Sequence, residues 1–387
     1  MTADVRNDAI SRPMVRRLTL RDFRSYASLD CRLAARLVVL TGENGAGKTN
    51  VLEALSMFSP GRGLRRAEIG ECARREGPGG FAVSIEAGAE VGATQLGHGL
   101  ELAGAEGVAT RRFRIDRAPA SSARAFADHI RVLWLTPAMD GLFAGPAGER
   151  RRFLDRLALG VDADHGARVN RLELALRNRN KLLEEGVSDR LWLEAAENEI
   201  AALGVGVAAA RFETVSRLES LIAASRDDAS PFPWAEITLE GELEQMIGCE
   251  PALRVEERYR AMLASSRRRD AAAGRTLSGP HVSDLAVRHG PKGEPARACS
   301  TGEQKALLTG LVLAHARLVD AMSGVAPLLL LDEVAAHFDV KRREALFDEL
   351  DKLGGQVWMT GADTSTFASL QERADILHVT PGRLRYI

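Results

Sequence analysis

Apolar positions along this chain fall into two alternating regimes. Near the start, Val15 to Leu20, Leu29 to Leu33 and Leu37 to Leu40 read as strands, with Arg21 to Tyr26 as a turn carrying basic and aromatic groups. Phe81-Ala82-Val83-Ser84-Ile85 and Phe113-Arg114-Ile115 alternate with period two, the pattern of a half-buried strand. Val132 to Leu135 is a short continuous run and predicts a buried strand, while the glycine-rich stretch from Val91 to Gly107 predicts hairpins. From Gly148 the period lengthens. Val169, Leu172 and Leu176 keep helical spacing, and a longer helical pattern runs from Leu191 to Ile222. Pro231-Phe232-Pro233 interrupts it, Ile237 to Leu239 reads as a short strand, and helix resumes from Leu253 to Arg269. Strand-and-loop character returns at Thr276 to Val287, and residues 1–13 read as a loose tail. The interval 148–272 is therefore expected to be a mostly helical lobe inserted into an α/β domain formed by 1–147 and 273–387. No sustained heptads mark a long coiled coil.

The strand ending at Leu40 feeds Thr41-Gly42-Glu43-Asn44-Gly45-Ala46-Gly47-Lys48-Thr49-Asn50, and Val51-Leu52-Glu53-Ala54-Leu55 then opens a helix. The spacing Gly42-x4-Gly47-Lys48-Thr49 satisfies the P-loop pattern. Gly42, Gly45 and Gly47 let the backbone curl so that successive N–H groups face phosphate oxygens. The helix start adds its dipole and free donors. Lys48 suits the β- and γ-phosphates, and the Thr49 hydroxyl suits Mg²⁺.

Two later stretches bear on the same chemistry. Leu328 to Leu331 predicts a strand buried on both faces, as a parallel sheet requires, and it ends on Asp332-Glu333. Asp332 would hold Mg²⁺, and Glu333 is placed to polarise an attacking water. Upstream, Ser300-Thr301-Gly302-Glu303-Gln304-Lys305 opens an apolar helix. Ser300 with Glu303 makes a capping box, and the same helix start is equally an anion site for a γ-phosphate.

Composition narrows the setting. A chain of 387 residues with 45% hydrophobic content has material for two domains, or for one large domain with an insertion. Net charge is −1, so any nucleic-acid contact would need a local patch rather than a global field. Lysine occurs only at 48, 181, 292, 305, 341 and 352, and the arginine bias fits genome composition. Cys31, Cys72, Cys249 and Cys299 are scattered, which argues for reduced thiols and against a structural zinc. Met1 to Pro13 lacks the apolar stretch of a signal peptide, and the longest apolar run, Val325 to Leu331, is too short to span a bilayer. A cytoplasmic protein is expected.

The three motifs together resemble the ABC-type ATPases: Walker A, a Ser-x-Gly-Glu/Gln signature, Walker B with a following glutamate, and Asp339 at the D-loop position. In that class the signature serine of one subunit completes the nucleotide site of another. The resemblance implies ATP-dependent homodimers, with Gly42 to Asn50, Ser300, Gly302, Gln304 and Asp339 around ATP, Thr49 and Asp332 on Mg²⁺, and Glu333, Lys48 and Asp332 in catalysis. Other stretches resemble the RecF family in particular. They are Leu18 to Tyr26, the P-loop through Ala54, Gly61 to Arg66, Gly145 to Asp155, Ser278-Gly279-Pro280-His281-Val282-Ser283-Asp284-Leu285 and Ser300 to Leu307, in family order. The fold implied is α/β, an ABC-type P-loop ATPase head with the helical lobe inserted. The activity implied is ATP-dependent binding of double-stranded DNA near single-strand gaps, with slow, DNA-stimulated ATP hydrolysis acting as a switch. The partners implied are RecR, RecO and RecA in gap repair, replication and the SOS response. Val282-Ser283 depart from the usual Arg-Asp, and Met359 to Asp363 lacks the switch histidine of transporter ATPases.

Arg62, Arg65 and Arg66, the trio Arg150, Arg151 and Arg152, and Arg267 to Arg269 are candidate phosphate contacts. The same clusters can equally be solvated faces or ion-pair partners. Alternative classes are an SMC-like or transporter-type nucleotide-binding subunit and a P-loop kinase in which Ser300 is only a cap.

Overall fold

The computed structural model describes residues 12–88, 92–103, 108–186 and 190–387. The tail expected over 1–13 lies outside the described residues as far as position 11, as do parts of the glycine-rich stretch. Contacts divide the chain into two compact units. The first takes the described residues of Met1–Asp140 together with Ala229–Phe232 and Leu308–Ile387, and the second takes those of Gly141–Asp228 and Pro233–Leu307.

In chain order the first unit begins with β1 (Met14–Phe23), β2 (Tyr26–Arg32), β3 (Leu37–Thr41), α1 (Lys48–Ser56), β4 (Phe81–Gly88), β5 (Ala93–Ala103), β6 (Val108–Ile115), β7 (Ala118–Ala120) and β8 (Val132–Leu135). The second contains α2 (Ala147–Val161), α3 (His165–Glu184), α4 (Arg190–Ala224), β9 (Ala235–Glu240), α5 (Glu242–Ile247), α6 (Ala252–Ala273), β10 (Asp284–His289) and β11 (Glu294–Pro295). The division falls within α7 (Thr301–Ser323), and β12 (Leu328–Leu331), α8 (Val340–Lys352), β13 (Val357–Gly361), β14 (Ala374–Thr380) and β15 (Arg383–Tyr386) complete the first unit.

Two sheets form the first unit. One has the order β15-β14-β3-β13-β12-β8, parallel throughout except for β15 against β14. Every residue of β3, β8, β12 and β13 is buried, which is why their sequences are continuous apolar runs rather than alternating ones. The other sheet, β2-β1-β4-β5-β6-β7, is antiparallel and alternates. Leu18, Leu20 and Phe23 from it share a core with Val38, Leu40 and Trp358 of the parallel sheet and with Val51, Leu52 and Leu55 of α1. Gln356, fully buried, ties the two together: its amide accepts from Val15 N and donates to Val15 O and Ala35 O.

The second unit packs α3, α4 and α6 around Leu172, Leu176, Ile200, Val207, Tyr259 and Leu263. It reaches beyond the expected 148–272, taking 273–307 as well. The reason is pairing: β10 runs antiparallel to β9 from Asp284↔Glu240 to His289↔Ala235, and Asp284 receives both Arg150 Nε and Nη2.

Most strands and helices lie where the periodicity put them, and the exceptions are local. β1 continues to Phe23, so the turn narrows to Arg24-Ser25, with Asp22 and Arg24 at positive φ. The short helix α5, the edge strand β7 and the C-terminal elements from α8 onward are not among the elements the sequence reading places. By length and composition α7, not the run at Val325 to Leu331, is the most membrane-like segment among the described residues, yet 67% of its apolar window is buried in protein.

Candidate nucleotide site

The parallel sheet delivers three chain ends to one edge. Thr41 is the partner of Gly361, Leu40 that of Thr360, and Leu331 that of Met359, so the P-loop, the Asp332-Glu333 pair and Thr360 all follow from strand register. Ligands in open α/β folds bind beyond this carboxyl edge. Gly42, Gly45 and Gly47 have φ of 138°, 83° and 112°, values that L side chains rarely adopt, as expected from the sequence. A Cβ on Gly42 would overlap the Val379 carbonyl oxygen, and one on Gly47 would come within 2.9 Å of Ser25 Oγ. The loop is therefore closed on both sides by backbone and by the β1–β2 turn. Tyr26 donates to Gly47 O at 3.2 Å, and Asn50 Nδ2 donates to Ser25 Oγ at 2.9 Å. Burial pushes the Tyr26 phenol up, so it stays a neutral donor.

Lys48, only 4% exposed, donates its ammonium to Gly42 O at 2.6 Å and Glu43 O at 2.9 Å. Its charge is thus held inside the loop of N–H groups. Thr49 Oγ1 lies 3.1 Å from both carboxylate oxygens of Asp332. These are hard oxygen donors in hydrogen-bond contact with each other beside the P-loop, the donor type Mg²⁺ takes while keeping waters and phosphate oxygens. No group of three or more His, Cys, Asp or Glu placed to hold a metal ion is present among the described residues. The Asp332-Glu333 step carries an unusual backbone: Glu333 is left-handed at φ 51°. Its N–H donates to Thr360 Oγ1 at 2.9 Å, and that hydroxyl donates to Asp332 Oδ1 at 2.7 Å.

The signature segment belongs to the second unit through Leu307. Ser300 N and Oγ both donate to Glu303 Oε2 at 3.0 Å, and Glu303 N points back at Ser300 Oγ at 3.4 Å, so the capping box of the sequence reading is present. Lys292 Nζ reaches Glu303 Oε1 at 2.5 Å. The Lys292 ammonium first, then the Ser300 N–H and hydroxyl, pull the Glu303 carboxyl down to about 2. Ser300 and Gly302 are exposed at the helix start. Gln304 is not: it is 6% exposed, and its Nε2 donates to Cys299 O at 2.9 Å. Asp339 caps α8, accepting from Arg342 N.

Residues 14–384 match the RecF/RecN/SMC N terminal domain family. The DNA replication and repair protein RecF of Rhizobium meliloti (strain 1021) is 54% identical over 368 residues, 95% of this chain and 97% of that protein. The chain belongs to the RecF family. The RecF of Mesorhizobium japonicum is 53% identical over 95% of this chain and 96% of its own length. Among solved structures, the recombination mediator protein RecF-ATPrS in the RecFOR pathway superposes with a TM-score of 0.85 at 20% identity, covering 98% of this chain and 100% of that one. A Pyrococcus furiosus Smc head domain gives 0.51 at 16% identity, covering 97% and 96%. The fold is accordingly the ABC-type ATPase head that RecF and SMC proteins share.

RecF membership leaves the basic clusters to be sorted by geometry. Arg150 is bidentate to Asp284 and also donates to Gly145 O, while Arg151 donates to Ser283 O. Both guanidiniums are engaged within the second unit. Arg152 pairs with Glu149 at the surface. Arg267 is likewise bidentate to the buried Glu197. In the other loop, Arg65 reaches Asn50 Oδ1 at 2.7 Å and Glu53 at 3.0 Å, and Arg62 makes an exposed pair with Glu68 at 2.6 Å. Arg66 is exposed and its backbone N–H donates to Gly63 O at 3.3 Å, while no hydrogen bond or ion pair engages its side chain among the described residues.

Sequence reasoning missed Thr360, Tyr26 and Glu53. Thr360 sat inside the stretch set aside for lacking a histidine; a hydroxyl one residue earlier was the available signal. Val282-Ser283 also acquire a meaning. Ser283 Oγ donates to Glu244 Oε1 at 2.6 Å, and buried Arg211 spans Asp155, Pro280 O and Ser283 Oγ, so this loop is anchored from within.

Proposed function

We propose that this chain is a cytoplasmic, ATP-dependent double-stranded DNA-binding protein of recombinational repair and replication, a slow ATPase that uses nucleotide as a switch. The contact that carries the reading is Thr49 Oγ1 against both oxygens of Asp332 at 3.1 Å, beside a glycine cradle that holds the Lys48 ammonium. Gly42 to Asn50 bind the triphosphate through backbone N–H groups, and Lys48 exchanges its two carbonyl partners for phosphate oxygens. Thr49 and Asp332 hold Mg²⁺, which when bound neutralises phosphate charge. Glu333 takes the proton of an attacking water as its oxygen bonds to the γ-phosphorus and the bond to the β-phosphate bridge breaks, leaving ADP and phosphate.

In this reading the ATPase head is built from both ends of the chain around the P-loop and the Asp332-Glu333 pair, the helices of 148–272 form the inserted lobe, and a second copy supplies Ser300 and Gly302 across the nucleotide, with Asp339 beside it. The ATP-bound homodimer closes on duplex DNA at single-strand gaps and, with RecO and RecR, helps load the RecA recombinase. Arg66 and Arg62 are the phosphate contacts favoured here, because the Arg66 side chain is unengaged and an exposed pair such as Arg62–Glu68 is worth little and exchanges readily.

Sedimentation with and without ATP, with gapped duplex at two salt concentrations, tests this. Dimers and salt-sensitive DNA binding should require ATP; Lys48→Ala should lose both, and Glu333→Gln should retain ATP and accumulate dimer. Arg66→Ala should weaken duplex binding and lower the salt slope by about one unit per contact. ATP-independent dimers, or a Glu333→Gln chain that turns over at the normal rate, would refute the assignment.

A further inference from the structure

Thr360 lies in β13 one residue beyond Met359, the partner of Leu331, and is 1% exposed. Its hydrogen-bond polarity is fixed by its neighbours. A peptide N–H can only donate, so Thr360 Oγ1 must accept from Glu333 N, and its single proton must go to Asp332 Oδ1. One hydroxyl therefore touches both members of the acidic pair at once. Asp332 Oδ1 also faces Thr49 Oγ1, so the chain of contacts runs Thr49–Asp332–Thr360–Glu333. Glu333 needs this support because its backbone is left-handed, at φ 51° and ψ 27°, a conformation that a non-glycine residue keeps only when its surroundings hold it.

We propose that Thr360 is the positioning residue of the hydrolytic step: it orients the Asp332 carboxylate toward the metal side and locks the peptide from which Glu333 departs. The inference rests on the ATPase reading above and deepens it. Thr360 touches neither nucleotide nor water in this scheme; it acts through its two neighbours.

The test compares Thr360→Ser with Thr360→Ala in the full chain. Both lose the methyl group, so any difference between them reports the hydroxyl. Binding of a fluorescent ATP analogue in EDTA and in Mg²⁺, ATP turnover, and the nucleotide-free melting temperature are measured for each. The expected result is wild-type affinity in EDTA for both variants. The alanine variant then loses about 10–100-fold in turnover and in the gain in affinity on adding Mg²⁺, as outer-shell partners commonly cost. The serine variant recovers most of both. Alanine and serine variants with equal turnover and equal Mg²⁺ dependence overturn the proposal. So does a loss of EDTA affinity equal to the loss of turnover, which marks a general structural defect. A wild-type chain that binds no ATP, or that binds without hydrolysing it, fails the parent reading instead and takes this one with it.

Discussion

Removing Arg24 probes how the P-loop helix is held. Glu53 lies one turn beyond the loop on α1, is 1% exposed, and receives Arg24 Nε at 2.8 Å, Arg24 Nη2 at 2.6 Å and Arg65 Nη1 at 3.0 Å. Glu53 raises the Arg24 guanidinium through these hydrogen bonds, against the opposing effect of burial. Arg24→Met strands a buried carboxylate with one remaining partner. Breaking a fully buried pair costs about 3–5 kcal/mol. Arg24 is 20% exposed and Arg65 stays, so the cost is discounted to about 1.5–3 kcal/mol, the range for hydrogen bonds to a charged group. Urea denaturation should report that loss, with a fall of about 3–12 °C in melting temperature. Placed in a Glu53→Gln background, Arg24→Met should cost much less, because the stranded charge is gone; the coupling should be about 0.5–3 kcal/mol. A single Arg24→Met variant within about 0.5 kcal/mol of wild type would mean that Glu53 is solvated and the buried-pair reasoning is wrong.

Three further outcomes follow from the same geometry. Gly42→Ala should destabilise the first unit by about 1–3 kcal/mol and abolish nucleotide binding, since a Cβ there overlaps Val379 O at φ 138°; a stable variant with normal ATP affinity would contradict it. Arg150→Ala should lower stability through loss of the Asp284 pair while leaving the salt slope of DNA binding unchanged, measured by denaturation and by titration with duplex. Glu303 is depressed, so its capping bonds hold above its ordinary 4.5 and are lost as pH falls through about 2; Lys292→Met should bring its titration back toward 4.5 in carboxyl-labelled NMR, and an unmoved midpoint would refute the Lys292 contribution.

What the sequence determined by itself was local and periodic. Glycines that must adopt positive φ, four leucines that only a doubly covered strand accommodates, and Ser300 with Glu303 at a helix start are each dictated by backbone sterics or by neighbours in the chain. Tertiary structure decided which charges are spent. Arg150 and Arg66 look alike in a list of basic residues, and only folding sends one to Asp284 and leaves the other open. Thr360 reaches Asp332 across 28 positions, and Arg24 reaches Glu53 across 29, because strand register and helix packing create those meetings. Pair energies depend on distance and burial, which periodicity does not encode, whereas torsional preference belongs to each residue before the chain folds.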